Sequence, residues 1–337
     1  MRTIRTLLLL LVTSPTLLDA QSGSYDWPSQ NLNIHNSRYA ELDQINKTNV
    51  DQLLEAWTFS PGPQDDITQA TPLVVSGVMF LHSRNTMFAL DATSGAELWR
   101  RPLDAGSAGG PVRGSTYSEG RVYAYRGADL YAFDAGNGEV IRSFGDTGVL
   151  KVVAEALNFK YPDVYSVNTD PISLGYRLTT PPTIHDGKMY VAAALSEGHI
   201  PGGLVIRIDV ETGTVEWVFN TIPQTPSDSG WEIAQSTWGT GQRAGGGVWT
   251  PPAIDTELGL VYVNAGNPSP DYDGSARAGA NLFSNATIAL DMNTGELAWY
   301  YQAVHHDLWD WDHVTGPLLF NISNEEGDII KGVAAGG

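Results

Sequence analysis

A short pattern that recurs four times along the chain restricts the possible folds more than any other feature. Each copy contains an apolar residue followed by Asp-x-x-x-Gly, and the aspartates are Asp91, Asp134, Asp209 and Asp291. Aspartate accepts hydrogen bonds from nearby backbone N–H groups and glycine tolerates positive φ, so each copy predicts a tight turn. Period-two sequence such as Val122-Tyr123-Ala124-Tyr125 precedes the turns and predicts half-buried strands.

A single four-stranded unit of this kind cannot bury both of its faces, so neighbouring units must stack on one another. Tryptophans that follow the turns, at Trp99, Trp217 and Trp299, can pack against the neighbouring unit. We therefore predict an all-β fold and, within that class, a β-propeller. A twisted β-sandwich or another irregular repeat is the alternative that the pattern leaves open.

The spacing between the repeated aspartates is uneven, at 43, 75 and 82 residues. The first interval is that of a plain propeller blade. The excess in the other two lies in residues 151–178 and 220–248. Long insertions in a propeller usually map to one face, and binding sites are built there. No hinge sequence separates two domains, so we expect one propeller unit.

The two ends of the chain are unbalanced. Ala56-Trp57-Thr58-Phe59 predicts a strand with a blade-type tryptophan, but only loop sequence comes before it. Residues 329–337 predict a strand that enters a turn. Because a closing blade commonly joins the two chain ends, we expect an incomplete propeller with about four readable blades, from a fragment or a truncated gene product.

Composition and the N-terminus limit the partners and the compartment. The formal net charge of −19 argues against nucleic acid or an anionic membrane as the main partner. The absence of cysteine excludes disulfides, thiolate metal sites and cysteine nucleophiles. Basic residues followed by a short apolar run predict a secretory signal peptide over residues 1–20, and hence a periplasmic or secreted protein. An uncleaved anchor is the alternative, although no run is long enough to predict a transmembrane span in the mature chain.

Acids and aromatic side chains are concentrated in the stretch from His305 to Asp312. It follows a predicted strand, Glu296 to Tyr301, and includes Asp310, Trp309 and Trp311. Carboxylates beside aromatic rings suggest a partly desolvated site that binds a cation or moves a proton. A packed corner with solvated acids is the alternative.

Four stretches together resemble the pyrroloquinoline-quinone (PQQ) dependent dehydrogenases, which are eight-bladed quinoprotein propellers that oxidise alcohols and sugars. They are Ser37 to Val50, Arg113-Gly114 before Tyr117, Gly245 to Trp249 with Gly266 to Pro270, and His305 to Asp312. The last stretch is most similar to the membrane-bound glucose dehydrogenase branch. The resemblance implies that residues 21–337 form the N-terminal part of a PQQ-binding propeller, truncated at its C-terminus.

The resemblance also implies roles for four polar residues. Asp310 matches the general base that takes the proton of the substrate hydroxyl. Glu197 and Asn267 match metal ligands, and Asp310 and Asp312 complete the expected metal set. Oxygen ligands of this kind suit calcium. The extra carboxylate of Asp312 makes a lanthanide the second expectation, with magnesium a further alternative.

Cofactor contacts are implied at four further positions. Trp249 matches the indole on which the flat cofactor stacks, and Arg113 and Thr179 match groups that contact its polar edge, with Thr180 a competitor. Gln69 stands where a glutamate often occurs. Residues 107–110 lack the adjacent cysteines that cover the cofactor in many alcohol-oxidising members.

The expected function is oxidation of a sugar, polyol or alcohol by hydride transfer to PQQ. The partners implied are the small-molecule substrate and an electron acceptor, either a quinone or cytochrome c. His305 and His306 remain candidates for orienting a carboxylate or for simple packing. Two further alternatives stay open, namely a non-catalytic propeller that scaffolds other proteins and an inactive fragment.

Overall fold

The computed structural model describes residues 25–63, 65, 67, 69–103, 110–313 and 315–336. The predicted signal peptide and residues 107–109 of the stretch without cysteines lie outside this part of the chain. Within it, strands form four antiparallel four-stranded sheets and one two-stranded sheet. The all-β prediction and the count of about four blades are therefore confirmed.

Every four-stranded sheet is assembled from strands that are consecutive in the sequence. Sheet 1 contains β1 (Leu73–Val75), β2 (Val78–His82), β3 (Thr86–Asp91) and β4 (Glu97–Pro102). Sheet 2 contains β5 (Thr116–Ser118), β6 (Arg121–Arg126), β7 (Asp129–Asp134) and β8 (Val149–Leu150). Sheet 3 contains β9 (Thr183–His185), β10 (Lys188–Ala193), β11 (Leu204–Asp209) and β12 (Val215–Asn220). Sheet 4 contains β13 (Ala253–Asp255), β14 (Leu260–Ala265), β15 (Ala286–Asp291) and β16 (Leu297–Gln302), and a final hairpin pairs β17 (Leu318–Ser323) with β18 (Ile329–Ala334).

The repeated Asp-x-x-x-Gly sequence forms the turn after the third strand of each four-stranded sheet. In sheet 1, Asp91 Oδ1 accepts hydrogen bonds from the backbone N–H groups of Thr93 and Ser94, at 3.0 and 2.8 Å. Asp134, Asp209 and Asp291 make the corresponding pairs of backbone contacts. The local chemistry that predicted the turns from sequence is therefore the chemistry that forms them.

Three tryptophans pack on the glycine of the repeat turn that follows them in the sequence. The three pairs are Trp57 on Gly95, Trp99 on Gly138 and Trp217 on Gly295. Each indole N–H also donates to a backbone carbonyl beside that turn, at 3.1 to 3.2 Å. The predicted packing on the neighbouring unit is confirmed for Trp99 and Trp217. Trp299 instead packs edge-on against Tyr262 of its own sheet, with ring centroids 5.7 Å apart.

A glycine-to-alanine pair tests how much this packing matters. Gly295 and Gly259 both have positive φ, at 72° and 66°, so alanine is strained at either position. A Cβ at Gly295 would lie 2.6 Å from the Trp217 ring, whereas a Cβ at Gly259 would contact nothing within 4 Å. We expect Gly295→Ala to lower the free energy of unfolding by about 1–3 kcal/mol more than Gly259→Ala. Urea denaturation measures the difference, and equal losses would contradict the packing argument.

Hydrophobic residues of adjacent sheets form the core. Separate buried clusters lie between sheets 1 and 2, between sheets 2 and 3, and between sheets 3 and 4. Side-chain hydrogen bonds link the starts of sheets 2, 3 and 4. Thr116 Oγ1 donates to the carbonyl of Pro182, and Thr183 Oγ1 donates to that of Pro252. These links bring the first strands of successive sheets side by side, as the inner strands of a propeller are.

The N-terminal lead-in crosses from sheet 1 to sheet 4. The backbone N–H of Trp27 donates to Val74 at 2.6 Å, and that of Ile254 donates to Ile34 at 2.8 Å. The strand predicted at residues 56–59 does not form. No strand among the described residues pairs with this segment, and the side chain of Trp57 ties it to sheet 1 by donating to the Ala92 carbonyl.

The two insertions pack against each other on one side of the sheets. The first contains α1 (Val152–Lys160) and the second contains α2 (Trp231–Ala234). Lys160 Nζ lies 2.9 Å from Asp228 Oδ1, and Tyr161 donates to Asp228 Oδ2 at 3.0 Å. The described part of the chain also contains three short 3-10 helices, at Val50–Gln52, Ser196–Gly198 and Gln235–Thr237. No helix in the described ranges has the length and apolar character needed to cross a membrane.

Candidate functional site

Loops from sheets 3 and 4 bring the predicted polar residues to one rim. Glu197 follows β10, Asn267 follows β14, and Asp310 and Asp312 follow β16. In an antiparallel sheet the second and fourth strands run in the same direction, so their ends meet at the same edge. The order of the strands therefore explains why residues up to 115 positions apart in sequence share one location.

A run of three glycines joins two of these loops. The backbone N–H of Gly247 donates to Ser196 Oγ at 2.8 Å, next to Glu197. Gly246 donates to the carbonyl of Asn267 at 2.7 Å, and Gly266 donates to that of Gly247 at 2.9 Å. Backbone contacts therefore fix the Glu197 and Asn267 loops relative to one another.

Three carboxylates form a compact acid cluster, which we define as Glu197, Asp310 and Asp312. Each offers an oxygen within 4.8 Å of an oxygen of the other two. Burial, followed by the negative charges of Glu197 and Asp310, raises the pKa of Asp312 to about 6, although contacts with Trp249 and the Asn267 backbone oppose the shift. Three acids held this close repel one another unless a cation or a proton neutralises them.

Buried oxygens without partners test whether a cation fits the cluster. Oδ1 of Asn267, Oδ1 of Asp310 and Oδ1 of Asp312 are buried and accept no hydrogen bond from any described residue. Buried polar atoms in proteins are nearly always satisfied, so such a group needs an explanation. Carboxylate and amide oxygens are the ligands that Ca²⁺ prefers, and it takes 6–8 of them. The residues present therefore fit a hard cation.

Asp307 shapes the loop that carries Asp310, a role that the sequence did not reveal. Its side chain is fully buried. It accepts hydrogen bonds from the backbone N–H groups of Trp309 and Trp311, both at 2.9 Å, and from Asn285 Nδ2 at 2.8 Å. These bonds wrap the backbone around the Asp307 carboxylate and hold Asp310 at the rim.

Arg277 is a second residue that sequence reasoning missed. It is 1% exposed and donates to the backbone carbonyls of Pro270, Asp271 and Asp307. Burial lowers its pKa, and the nearby acids partly oppose this. Arg277 therefore ties the loop after β14 to the loop after β16.

The predicted cofactor residues lie beside the acid cluster. The Arg113 guanidinium is 4.6 Å from the centre of the Trp249 ring, and its Nη1 donates to the Thr179 carbonyl at 3.2 Å. Arg113, Trp249 and Gln69 line one cavity of about 660 Å³. Glu197 and the aspartates are not among the residues that line this cavity. Trp249 connects the two parts, since it also contacts Asp312.

The sequence left Thr179 and Thr180 as alternative candidates for one cofactor contact. Both are buried, with Thr179 0% and Thr180 1% exposed. The hydroxyl of Thr180 donates to Gln30 Oε1 at 3.4 Å, whereas that of Thr179 has no partner among the described residues. The unpartnered hydroxyl makes Thr179 the better candidate for a ligand contact.

Aromatic side chains surround Asp310 at the surface. Tyr272, Trp309 and Trp311 are 71%, 68% and 49% exposed. The Tyr272 hydroxyl donates to Asp310 Oδ2 at 3.2 Å, which leaves Oδ1 without a partner in the described part of the chain. His306 bonds the Gly279 carbonyl through Nδ1 at 2.9 Å rather than a carboxylate. These aromatic faces are positioned to contact a small molecule that approaches Asp310.

His82 is a buried titratable group next to the Arg113 loop. Its Nδ1 lies 2.9 Å from the Gly114 carbonyl, and its ring packs edge-on against Tyr125 with centroids 4.9 Å apart. Burial lowers the pKa of His82 to about 4, although backbone contacts at Gly114 and Tyr125 oppose this. The imidazole is therefore neutral where the cofactor is expected to bind.

Acid should destabilise the chain through His82. The unfolded imidazole takes up a proton near pH 6.5 and the folded one only near pH 4, so its contribution is complete above pH 6.5 and is lost as the pH falls to about 4. A shift of this size corresponds to at most about 3 kcal/mol. Urea unfolding at about pH 7.5 and about pH 4.5 should show a smaller fall for His82→Gln than for the wild type. Equal falls in both chains would contradict this prediction.

Comparison with known proteins identifies the fold and the family. Residues 27–336 match the family profile of the PQQ glucose/ethanol/alcohol dehydrogenase beta-propeller domain. Quinoprotein glucose dehydrogenase of Escherichia coli K12 is 29% identical over 332 residues, which covers 88% of this chain and 39% of that protein.

Solved structures show the same relationship. Quinohemoprotein alcohol dehydrogenase from Pseudomonas putida HK5 superimposes with a TM-score of 0.76 and 28% identity, over 92% of this chain and 44% of that one. A europium-containing methanol dehydrogenase superimposes with a TM-score of 0.73 and 25% identity, over 91% of this chain and 54% of that one. The chain thus spans about half or less of the length of these proteins. It belongs to the β-propeller family of the PQQ-dependent glucose, ethanol and alcohol dehydrogenases.

Proposed function

We propose that this chain provides the cofactor and metal site of a PQQ-dependent dehydrogenase that oxidises the CH–OH group of a sugar, polyol or alcohol. One observation carries the proposal. Unpartnered buried oxygens of Asn267, Asp310 and Asp312 occur together with the acid cluster. A propeller that only scaffolds other proteins has no need for buried acceptors without donors, because they cost stability.

The proposed metal ligands are Glu197, Asn267, Asp310 and Asp312. Calcium is the first assignment, because carboxylate and amide oxygens suit it and tolerate its flexible geometry. A lanthanide is the second, because the Asp312 carboxylate adds negative charge and the europium-containing relative shares the fold. Magnesium is the third, since it demands stricter octahedral geometry and retains its waters.

The proposed cofactor contacts are Trp249, Arg113, Thr179 and Gln69. The Trp249 ring offers a flat apolar face, and the Arg113 guanidinium and the Thr179 hydroxyl offer donors to carboxylates or carbonyls. Gln69 can donate as well as accept, and it adds no charge. When bound, PQQ would supply the acceptor for the hydride of the substrate carbon, and the cation would supply Lewis-acid assistance to that acceptor.

Asp310 is the proposed general base. Its Oδ1 is the buried oxygen proposed for the cation, whereas its Oδ2, which accepts a hydrogen bond from Tyr272, has a second lone pair for the proton of a substrate hydroxyl. General bases act within hydrogen-bond reach of the proton that they remove. The Asp307 carboxylate holds the loop in shape, and the exposed rings of Trp309 and Trp311 restrict how a substrate approaches.

The proposed surroundings follow from the family and from the N-terminus. The basic and apolar start of the chain supports export by a signal peptide at residues 1–20, with the propeller formed by residues 21–337 in the periplasm or outside the cell. The proposed electron acceptor is a quinone or cytochrome c.

Reconstitution tests the proposal. The purified chain is loaded with PQQ and either Ca²⁺ or La³⁺, cofactor binding is followed by tryptophan fluorescence, and dye reduction is assayed with glucose, glycerol and ethanol. We expect metal-dependent PQQ binding that Glu197→Ala weakens. A chain that binds neither PQQ nor metal while retaining its fold by circular dichroism would contradict the dehydrogenase assignment and favour a scaffold.

A further inference from the structure

A fourth acid, Asp271, contacts the acid cluster through Asn267. It lies four residues after Asn267 in the loop that follows β14, and its side chain is half-buried. The sequence did not mark it as a functional residue. Its carboxylate Oδ1 accepts a hydrogen bond from Asn267 Nδ2 at 2.8 Å.

This hydrogen bond decides which end of the Asn267 amide faces the metal site. A primary amide has an oxygen and a nitrogen of almost equal size, so sterics alone do not select its orientation. An ionised carboxylate accepts hydrogen bonds but does not donate them, so Asp271 selects the nitrogen. The Pro268 carbonyl, at 3.3 Å from Asn267 Nδ2, is a longer and uncharged acceptor, so the 2.8 Å bond to the Asp271 carboxylate is the stronger of the two. Asn267 Oδ1 is then left buried without a partner among the described residues.

The backbone that carries Asp271 is held in place by the buried Arg277. Arg277 donates to the carbonyl of Asp271 at 3.1 Å and to that of Pro270 at 3.0 Å. Arg277 is itself 1% exposed, so the donor side of these bonds is shielded from solvent. Ser269, earlier in the same loop, contacts His199 Nδ1 at 2.6 Å. The loop is therefore fixed on both sides of the Asn267–Asp271 pair.

We propose that Asp271 is a positioning residue that fixes the Asn267 amide so that its carbonyl oxygen faces the cation held with Glu197, Asp310 and Asp312. The inference rests on the proposed metal site and adds to it the group that orients one ligand. Residues that orient metal ligands in this way typically change metal affinity 10- to 100-fold when they are replaced. An orienting role and a role of negative charge alone make different predictions for asparagine at this position.

Metal binding without turnover provides the test. Tb³⁺ luminescence, sensitised by the nearby tryptophans, is titrated in the chain without PQQ, and Ca²⁺ is then added as competitor. We expect Asp271→Leu, which removes the acceptor, to weaken Tb³⁺ and Ca²⁺ binding by about 10- to 100-fold. Asp271→Asn keeps an acceptor for Asn267 Nδ2 and should stay within about threefold of the wild type.

A neighbouring acid supplies the matched control. Asp273 lies in the same loop and is exposed, and its carboxylate accepts from Ser275 rather than from Asn267. Asp273→Asn removes the same charge and should leave the affinity within about threefold. Equal, large losses for Asp271→Asn and Asp271→Leu would show that charge rather than orientation matters, and would overturn the proposal.

Making Asp271→Leu in a chain that already carries Asn267→Asp separates an effect on the orientation of the amide from a general effect on folding. In Asn267→Asp the two side-chain oxygens are equivalent, so there is no amide to orient. Adding Asp271→Leu in that background should leave Tb³⁺ affinity unchanged or strengthen it, because it removes a repelling acid. A loss there as large as in the wild-type background would overturn the positioning role while leaving the metal site intact. A wild-type chain that binds no Tb³⁺ would overturn both.

Discussion

Replacing Asp310 with asparagine should lower kcat of the PQQ- and calcium-loaded protein by about 10²- to 10⁴-fold, the usual contribution of a general base. Asparagine keeps a carbonyl oxygen for the metal and a partner for the Tyr272 hydroxyl, which donates to Asp310 at 3.2 Å. It cannot take up a proton, so the loss should appear in kcat while PQQ binding is retained. Dye-linked turnover and tryptophan fluorescence measure the two quantities.

Two comparisons isolate the proton transfer. Tyr272→Phe removes only the hydrogen bond to Asp310 Oδ2, at an exposed position, and should lower kcat far less than Asp310→Asn. Asp273→Asn removes a charge from the neighbouring loop and should have little effect. Tb³⁺ affinity of Asp310→Asn must also be measured, because a loss of metal as large as the loss of turnover would assign the effect to ligation. Unchanged kcat in Asp310→Asn would place the base elsewhere.

The fold was predictable because its signals are local. An aspartate accepts from backbone N–H groups two and three residues later, and this requires no knowledge of the rest of the chain. Period-two sequence then sets the strands on either side. The prediction of a strand at residues 56–59 was wrong because strand formation depends on a partner elsewhere in the chain and not on local sequence alone. A strand needs a partner, and Trp57 docks on Gly95 without one.

The candidate site was predictable only where a family pattern carried it. Glu197, Asp310 and Asp312 come together as the pattern implies, and their oxygens lie within 4.8 Å of one another. Asp271 and Arg277 carry no repeat or periodic signal, because their contacts depend on how one loop meets another. Arg277, for example, donates to the Asp307 carbonyl across 30 residues of sequence.

The sequence does contain a local signal for one of the missed residues, Asp307. Asp307 precedes Trp309 and Trp311 at the spacing at which a carboxylate can accept from backbone N–H groups just ahead of it. That spacing predicts a turn. It does not predict burial, because burial depends on Asn285, which approaches from the start of β15.

Replacing Asp307 with alanine should lower the free energy of unfolding by about 3–5 kcal/mol, the usual result of removing one member of a buried charged network. The variant would leave two backbone N–H groups and the Asn285 amide without their acceptor. Each buried donor left unsatisfied costs about 1–3 kcal/mol. The loop that carries Asp310 should also loosen, so Tb³⁺ affinity should fall together with stability. Urea denaturation and luminescence titration measure the two effects.

Asp91→Ala provides the control for burial. Asp91 also accepts from two backbone N–H groups, of Thr93 and Ser94, but its turn is exposed, and water can replace the carboxylate. We expect a much smaller loss of stability there and no change in Tb³⁺ affinity, because the turn belongs to sheet 1 and the proposed metal site to sheets 3 and 4. Similar losses for Asp91→Ala and Asp307→Ala would mean that local turn formation, rather than burial, sets the value of these aspartates. The shape of the Asp310 loop would then have to come from Arg277 instead.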